Sequence, residues 1–141
     1  MKENVRWSIS LWMIAILFDL LVAITMWGVL DTIPTVVILA ISIFITFIFS
    51  RLSALRVEVD GQYFKVGNAV IERKFLGAIQ PLDSQEMARV RGRDADPAAF
   101  LAIRFWVKTG IRVEIRDPRD PTPYWLVSSR KYREFCAALK N

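Results

Sequence analysis

The apolar positions of this chain fall into two regimes. From Trp7 to Leu30 and from Ile33 to Phe49 they are nearly continuous, whereas beyond Arg51 they alternate with polar residues in short runs. A helix needs roughly 20 residues to cross the hydrocarbon of a bilayer, and each run is long enough. Neither run has a polar face wide enough to meet water, so the core helices of a soluble bundle are a poor description. The pattern predicts a transmembrane helical hairpin over residues 1–52, with helices at about 7–30 and 33–50, followed by a β-rich domain over residues 53–141.

Beyond the hairpin the strand signals follow one another quickly. Leu55–Val59 and Gln62–Val66 flank Asp60-Gly61, a strong hairpin turn that sets Val57 opposite Phe64, Leu55 opposite Val66 and Glu58 opposite Tyr63. Gly67-Asn68 makes a second tight turn into Ala69–Glu72, with Ile71 against Phe64, and a fourth strand is predicted around Ala78–Leu82. Asp83 and Glu86 have the spacing of a capping box, which predicts a short helix to about Val90, broken at Gly92. Phe100–Val107 and Ile111–Arg116 are predicted to pair across Lys108-Thr109-Gly110, placing Arg104 opposite Glu114 and Trp106 opposite Arg112. Tyr124–Ser128 is the last strand, and Ser129 can cap a final helix from Arg130 to about Leu139 whose apolar stripe is Tyr132, Phe135, Cys136 and Leu139. Seven strands closed by one amphipathic helix give an α+β protein whose soluble part has the plan of a pleckstrin-homology-like barrel, an analogy of fold that carries no function.

Charge sets the orientation. Lys2 and Arg6 precede the first run and Arg51 and Arg56 follow the second, while Asp31-Thr32-Ile33-Pro34 between them has no Lys or Arg. The positive-inside rule places both termini in the cytoplasm and the short loop outside. The first run is longer than the apolar core of a signal peptide and ends in Trp27-Gly28-Val29-Leu30 without a small-residue cleavage pattern, so it is expected to stay as an anchor. Pro34 fits the first turn of the second helix, where its missing N–H costs nothing.

Composition removes several chemistries. The 141 residues include no His and a single Cys, so imidazole catalysis, Cys/His zinc sites and disulfides within the chain are excluded. Cys136 lies on the apolar stripe and reads as a core thiol. The net charge of +5 is scattered rather than clustered with aromatics, which fits anionic lipid better than nucleic acid. Arg89, Arg91 and Arg93 share no single helical face and read as solvated. No phosphate-cradling glycine loop and no nucleophile–base pair is present, so no catalytic, cofactor-binding or metal-ligating residues are assigned.

Two places ask for an explanation. Asp19 sits mid-run, where a carboxylate costs roughly 2.5–3.5 kcal/mol on insertion scales. Counting inward along both helices sets it level with Ser42 and Thr46, which lie near one face of the second helix together with Thr35. Either Asp19 is hydrogen-bonded to that helix and holds the hairpin together, or it serves an ion or proton relay or a contact between copies. The second place is Asp117-Pro118-Arg119-Asp120-Pro121-Thr122-Pro123, where three prolines fix the approach to the last strand. Asp117 and Asp120 there are either formers of local turns or a ligand contact on a rigid loop.

That segment, continued by Tyr124-Trp125-Leu126-Val127-Ser128, together with Ala95-Asp96-Pro97-Ala98-Ala99-Phe100, Arg104-Phe105-Trp106-Val107 and the twin-helix start, resembles an uncharacterised family of small actinobacterial membrane proteins, catalogued as domain of unknown function 3093. The resemblance covers nearly the whole chain and implies an integral membrane protein, with no activity, cofactor or catalytic residue attached to it. The chain departs from the family pattern at Glu72-Arg73-Lys74-Phe75, which leaves the end of the third strand undefined. Taken together, these readings predict a non-enzymatic, membrane-anchored adaptor or scaffold in the cell membrane. Its partners are the lipid bilayer and a membrane or cytoplasmic protein, with a homo-oligomer also allowed and no nucleic acid. Trp106, Arg112, Asp117, Asp120 and Tyr124 are its candidate contact surface. The alternative is an oligomeric pore or transporter subunit that uses Asp19, Ser42 and Thr46.

Overall fold

A computed structural model of the chain describes residues 1–140. It divides into two compact units, and the division does not follow chain order: Met1–Val5 groups with the residues from Leu55 onward, and Arg6–Ala54 forms the other unit.

The second unit is a helical hairpin. Helix α1 runs over Ile9–Trp27 and α2 over Thr32–Leu52, both long and apolar enough to cross a membrane. Ser8 caps α1 by accepting from the Leu11 N–H, and Gly28 ends it. Pro34 lies in the first turn of α2, as its missing N–H requires. Trp7 donates through Nε1 to Ser53 Oγ at 2.7 Å, joining the start of the hairpin to its end, and packs on Phe49 edge-on.

The first unit is built on two four-stranded sheets. Strand β1, Lys2–Val5, precedes the hairpin, and β2, Leu55–Val59, follows it; the two pair antiparallel, with Val5 opposite Leu55. Strands β3 (Tyr63–Val66) and β4 (Ala69–Glu72) complete a sheet ordered β1-β2-β3-β4. The second sheet comprises β5 (Leu76–Leu82), β6 (Phe100–Ala102), β7 (Gly110–Ile115) and β8 (Tyr124–Ser128) in the order β5-β7-β8-β6. Helix α3, Ser84–Arg91, carries the predicted capping box in full, and α4, Tyr132–Lys140, buries Phe135, Cys136 and Leu139 in the core. The α+β architecture and the placement of the two apolar helices agree with expectation; the strand count and part of the pairing do not.

Strand β1 was not expected. Only Val5 in Lys2-Glu3-Asn4-Val5 is apolar, too little alternation to register, yet Val5 is wholly buried. Glu3 accepts from the Ser129 hydroxyl and the Arg130 N–H, which fixes β1 to the turn that precedes α4. The β2–β3 register also differs: Val57 faces Val66, Glu58 faces Lys65 and Val59 faces Phe64. Asp60 donates its N–H to the Tyr63 carbonyl, so the turn falls at Gly61-Gln62 rather than Asp60-Gly61. That slides the pairing by an even number of residues and leaves every side chain on its expected face. The β3–β4 register, with Phe64 against Ile71, is as expected.

The predicted hairpin between Phe100–Val107 and Ile111–Arg116 does not form. Strand β7 is central, flanked by β5 and β8, and has no free edge left for residues 103–107. Arg112 faces Gln80 and Leu126 instead of Trp106, and Glu114 faces Tyr124 instead of Arg104. Strand β6 is short and lies parallel to β8, after which Val107 turns inward to a buried position. Eight strands with a parallel pair therefore replace the seven on which the pleckstrin-homology-like plan was counted.

The undefined segment after β4 becomes a single 3₁₀ turn, Arg73–Phe75. Its Arg73 guanidinium donates to the carbonyls of Ala138 and Leu139 at 3.1 and 3.0 Å, closing the C-terminal end of α4. Cys136 on that helix is buried, and burial pushes its thiol pKa up, the opposite of what a nucleophile needs.

Candidate functional site

Within the hairpin, the structure brings Asp19 and Ser42 together. Asp19 is only 8% exposed, and Ser42 Oγ donates to its carboxylate. The other inward hydroxyls of α2 bond locally: Thr35 to the Asp31 carbonyl and Ser50 to the Phe47 carbonyl. Thr46 does not join Asp19; it lines an apolar groove of about 340 Å³ with Leu11, Ala15, Phe18 and Phe49. This polar bond from α2 to α1 is a tie, of a kind typically measured at about 0.6–2 kcal/mol in membranes. Ser42→Ala is expected to destabilise the hairpin by about that amount, read as a lower detergent midpoint of helix separation by energy transfer between labelled helices. Thr46→Ala, which removes no bond to Asp19, should leave the midpoint in place; equal effects from both would refute the tie.

In the β-rich unit the expected contact residues separate into two groups. Tyr124 lies inside rather than on the surface: it is 3% exposed, and its hydroxyl accepts the Asp96 N–H at 3.0 Å. The Arg112 guanidinium sits 4.2 Å from the centre of the Tyr124 ring, a cation–π contact between neighbouring strands. Trp106 is half-buried against the core and meets Phe105 edge-on. Arg112 and Tyr124 thus meet each other, and Tyr124 offers almost no exposed surface to a partner.

Asp117 and Asp120 do come together. Each makes the local turn its position beside proline suggests: Asp117 accepts from the Arg119 N–H at 3.0 Å, and Asp120 from the Thr122 N–H at 2.9 Å. Both also line a cavity of about 230 Å³ whose other walls are Tyr63, Val70, Ile71, Glu72, Phe75, Arg119 and Trp125. One wall is thus the β4 edge of the first sheet, and the opposite wall is the proline-fixed loop leading into β8. Sequence reasoning missed the β4 wall and the Phe75 floor, because no local signal says which loop a strand edge will face. Lys74 pairs with Glu72, and both Lys74 and Arg119 lie over the Phe75 ring. Arg119 pairs with Asp117. Asp120 is left as the lining carboxylate without a basic side chain bonded to it among the described residues.

The backbone N–H of Arg119, and after it the Arg119 guanidinium, hold the Asp117 carboxyl below the usual carboxylate range. A carboxylate depressed in the folded state contributes stability that is complete above its unfolded pKa and is lost as pH falls through the folded one. Asp117→Asn is therefore expected to flatten the acid limb of a melting-temperature profile while leaving stability above that limb only modestly lower. An unchanged acid limb would show that the loop bond does not matter.

Among the described residues no group of three or more acidic, Cys or His side chains is arranged to hold a metal ion. What the fold defines, then, is an α+β protein in which an apolar two-helix hairpin is inserted between two paired strands of a β-rich unit. The family described as protein of unknown function, DUF3093, matches residues 1–139, and the chain belongs to it. No curated protein and no solved structure matches the chain.

Proposed function

We propose that this protein is a membrane-anchored adaptor or scaffold: the hairpin lies in the cell membrane, both its ends and the β-rich unit are cytoplasmic, and the loop around Asp31 is outside. The observation that carries this reading is the pairing of β1 with β2. A strand on each side of the hairpin belongs to one sheet, which supports a hairpin whose two ends return to one side of the bilayer. The charge pattern supports the same side, since Lys2, Arg6, Arg51 and Arg56 flank those ends and the intervening loop has no Lys or Arg. Removal of α1 as a signal peptide would also remove Val5 and Glu3 from the unit they complete.

We read the β-rich unit as an interaction module that keeps the pleckstrin-homology-like plan only in outline, in its two sheets and amphipathic C-terminal helix and not in strand number or in the parallel β6–β8 pair, with the cavity beside Asp117 and Asp120 as its contact site. The bond from Ser42 to Asp19 accounts for the intramembrane acid within one copy, which removes the main motive for a pore. Reporter fusions test the topology. A cytoplasm-active reporter should work at either terminus, and an externally active one only in the loop near Asp31. Release of the whole chain from vesicles by alkaline carbonate would overturn the anchor, and absence of any partner or lipid preference on co-purification in mild detergent would overturn the adaptor.

A further inference from the structure

The free edge of β4 borders the cavity, and its hydrogen-bonding phase can be read from its neighbour. Arg73 donates its N–H to the Gln62 carbonyl at 2.9 Å, so Ile71 and Ala69, at the same phase, also direct their backbone groups toward β3. Val70 and Glu72 therefore turn their N–H and C=O groups the other way. Strand β4 is the last strand of its sheet, and no residue of the described chain pairs with that side. Val70 is 54% exposed, and both Val70 and Glu72 line the cavity. Across the gap stands the proline-fixed loop, with Asp120 carrying the carboxylate that no basic side chain of the loop neutralises.

We propose that this slot takes an extended peptide segment of a water-soluble partner protein, added as a fifth strand beside β4, with a lysine or arginine side chain directed to Asp120. The inference rests on the interaction-module reading above and gives that module its partner chemistry. Three observations support this occupant. Unpaired strand-edge amides at Val70 and Glu72 supply the main-chain recognition of strand addition, and a pocket for one side chain supplies its specificity. The cavity of about 230 Å³ falls below the roughly 300–1,000 Å³ of small-molecule sites. Of its lining carboxylates Glu72 is paired with Lys74 and Asp117 with Arg119, while Asp120 has no basic partner among the described residues, so one basic side chain complements it, whereas self-pairing of β4 would bring in a second Glu72.

The probe is a short end-blocked peptide alternating valine and threonine about one central lysine, labelled for anisotropy and added to the full chain in detergent micelles. Binding is expected to weaken about tenfold when the lysine is replaced by glutamate, and to vanish when the residues facing β4 are N-methylated. Asp120→Asn should erase most of the preference for lysine without unfolding the chain, because its local bond to Thr122 needs only the remaining amide oxygen. Hydrogen exchange at Val70 and Glu72 should slow in the complex. Equal binding of the N-methylated peptide, or an intact lysine preference in Asp120→Asn, would overturn strand addition. So would dimers whose exchange protection centres on β4 without peptide. If no peptide binds but a photoreactive group at the position of Arg119 cross-links to a protein in cells, strand addition fails while the interaction module stands. If neither occurs, both fail.

Discussion

Val5→Asp is expected to unfold the β-rich unit although it lies upstream of the first apolar helix. Val5 is wholly buried opposite Leu55, in the same core as Val57, Phe64 and Val66. A carboxylate placed there has no partner, and burying an unpaired charge costs about 4–5 kcal/mol or more, a large share of the roughly 5–15 kcal/mol of a typical domain. Val5→Ala removes only packing and should cost about 2 kcal/mol. The measurement is protection of the Phe64–Trp125 core against limited proteolysis in vesicles. Protection in Val5→Asp equal to that of the parent chain would mean that the leading strand is not part of the unit.

Gly110→Ala should have an effect of similar size for a different reason. A Cβ at Gly110 would lie 2.3 Å from the Val127 carbonyl oxygen and 3.2 Å from the end of Met87. Met87 could move. Val127 cannot, because β8 is held by β7 on one side and β6 on the other. Overpacking against immobile backbone costs about 3 kcal/mol or more, equivalent to a melting temperature lower by roughly 12 °C or more for a unit of this size. Gly61→Ala is the matched control. A Cβ there meets nothing within 4 Å, so the change should be neutral or slightly stabilising.

The two sites show what a sequence does and does not reveal. Helices α1 and α2 were legible because continuous apolarity needs no partner to be recognised, and the capping box of α3 because it closes within four residues. Strands β3 and β4 and the β8–α4 end were legible for a related reason: tight turns and an amphipathic stripe are local. Strand β1 was not, since a single valine acquires meaning only once Leu55 lies beside it. The false hairpin at residues 100–116 has the same origin: alternation marks which face a residue takes but not which strand will occupy each edge of β7. In the candidate site, Asp117 and Asp120 could be singled out from their prolines. Their Val70, Glu72 and Phe75 neighbours arrive through the packing of one sheet edge on a loop of the other, which no spacing encodes. The tie from Ser42 to Asp19 was legible by counting helical turns, whereas the separate position of Thr46 was not.

The pairing of β1 with β2 also bears on biosynthesis. The ribosome makes Lys2–Val5 before the hairpin, yet those residues have nothing to hydrogen-bond with until Leu55–Val59 has been translated. The first sheet therefore cannot close around Val5 until both apolar helices have been made, and Glu3 waits longer still, for Ser129 and Arg130 near the end of translation. On the membrane-anchored reading proposed above, a chain whose hairpin stalls or inserts with its ends on opposite faces of the bilayer is left with an open sheet that quality-control proteases can recognise. Maturation of the β-rich unit would then record whether the hairpin went in correctly.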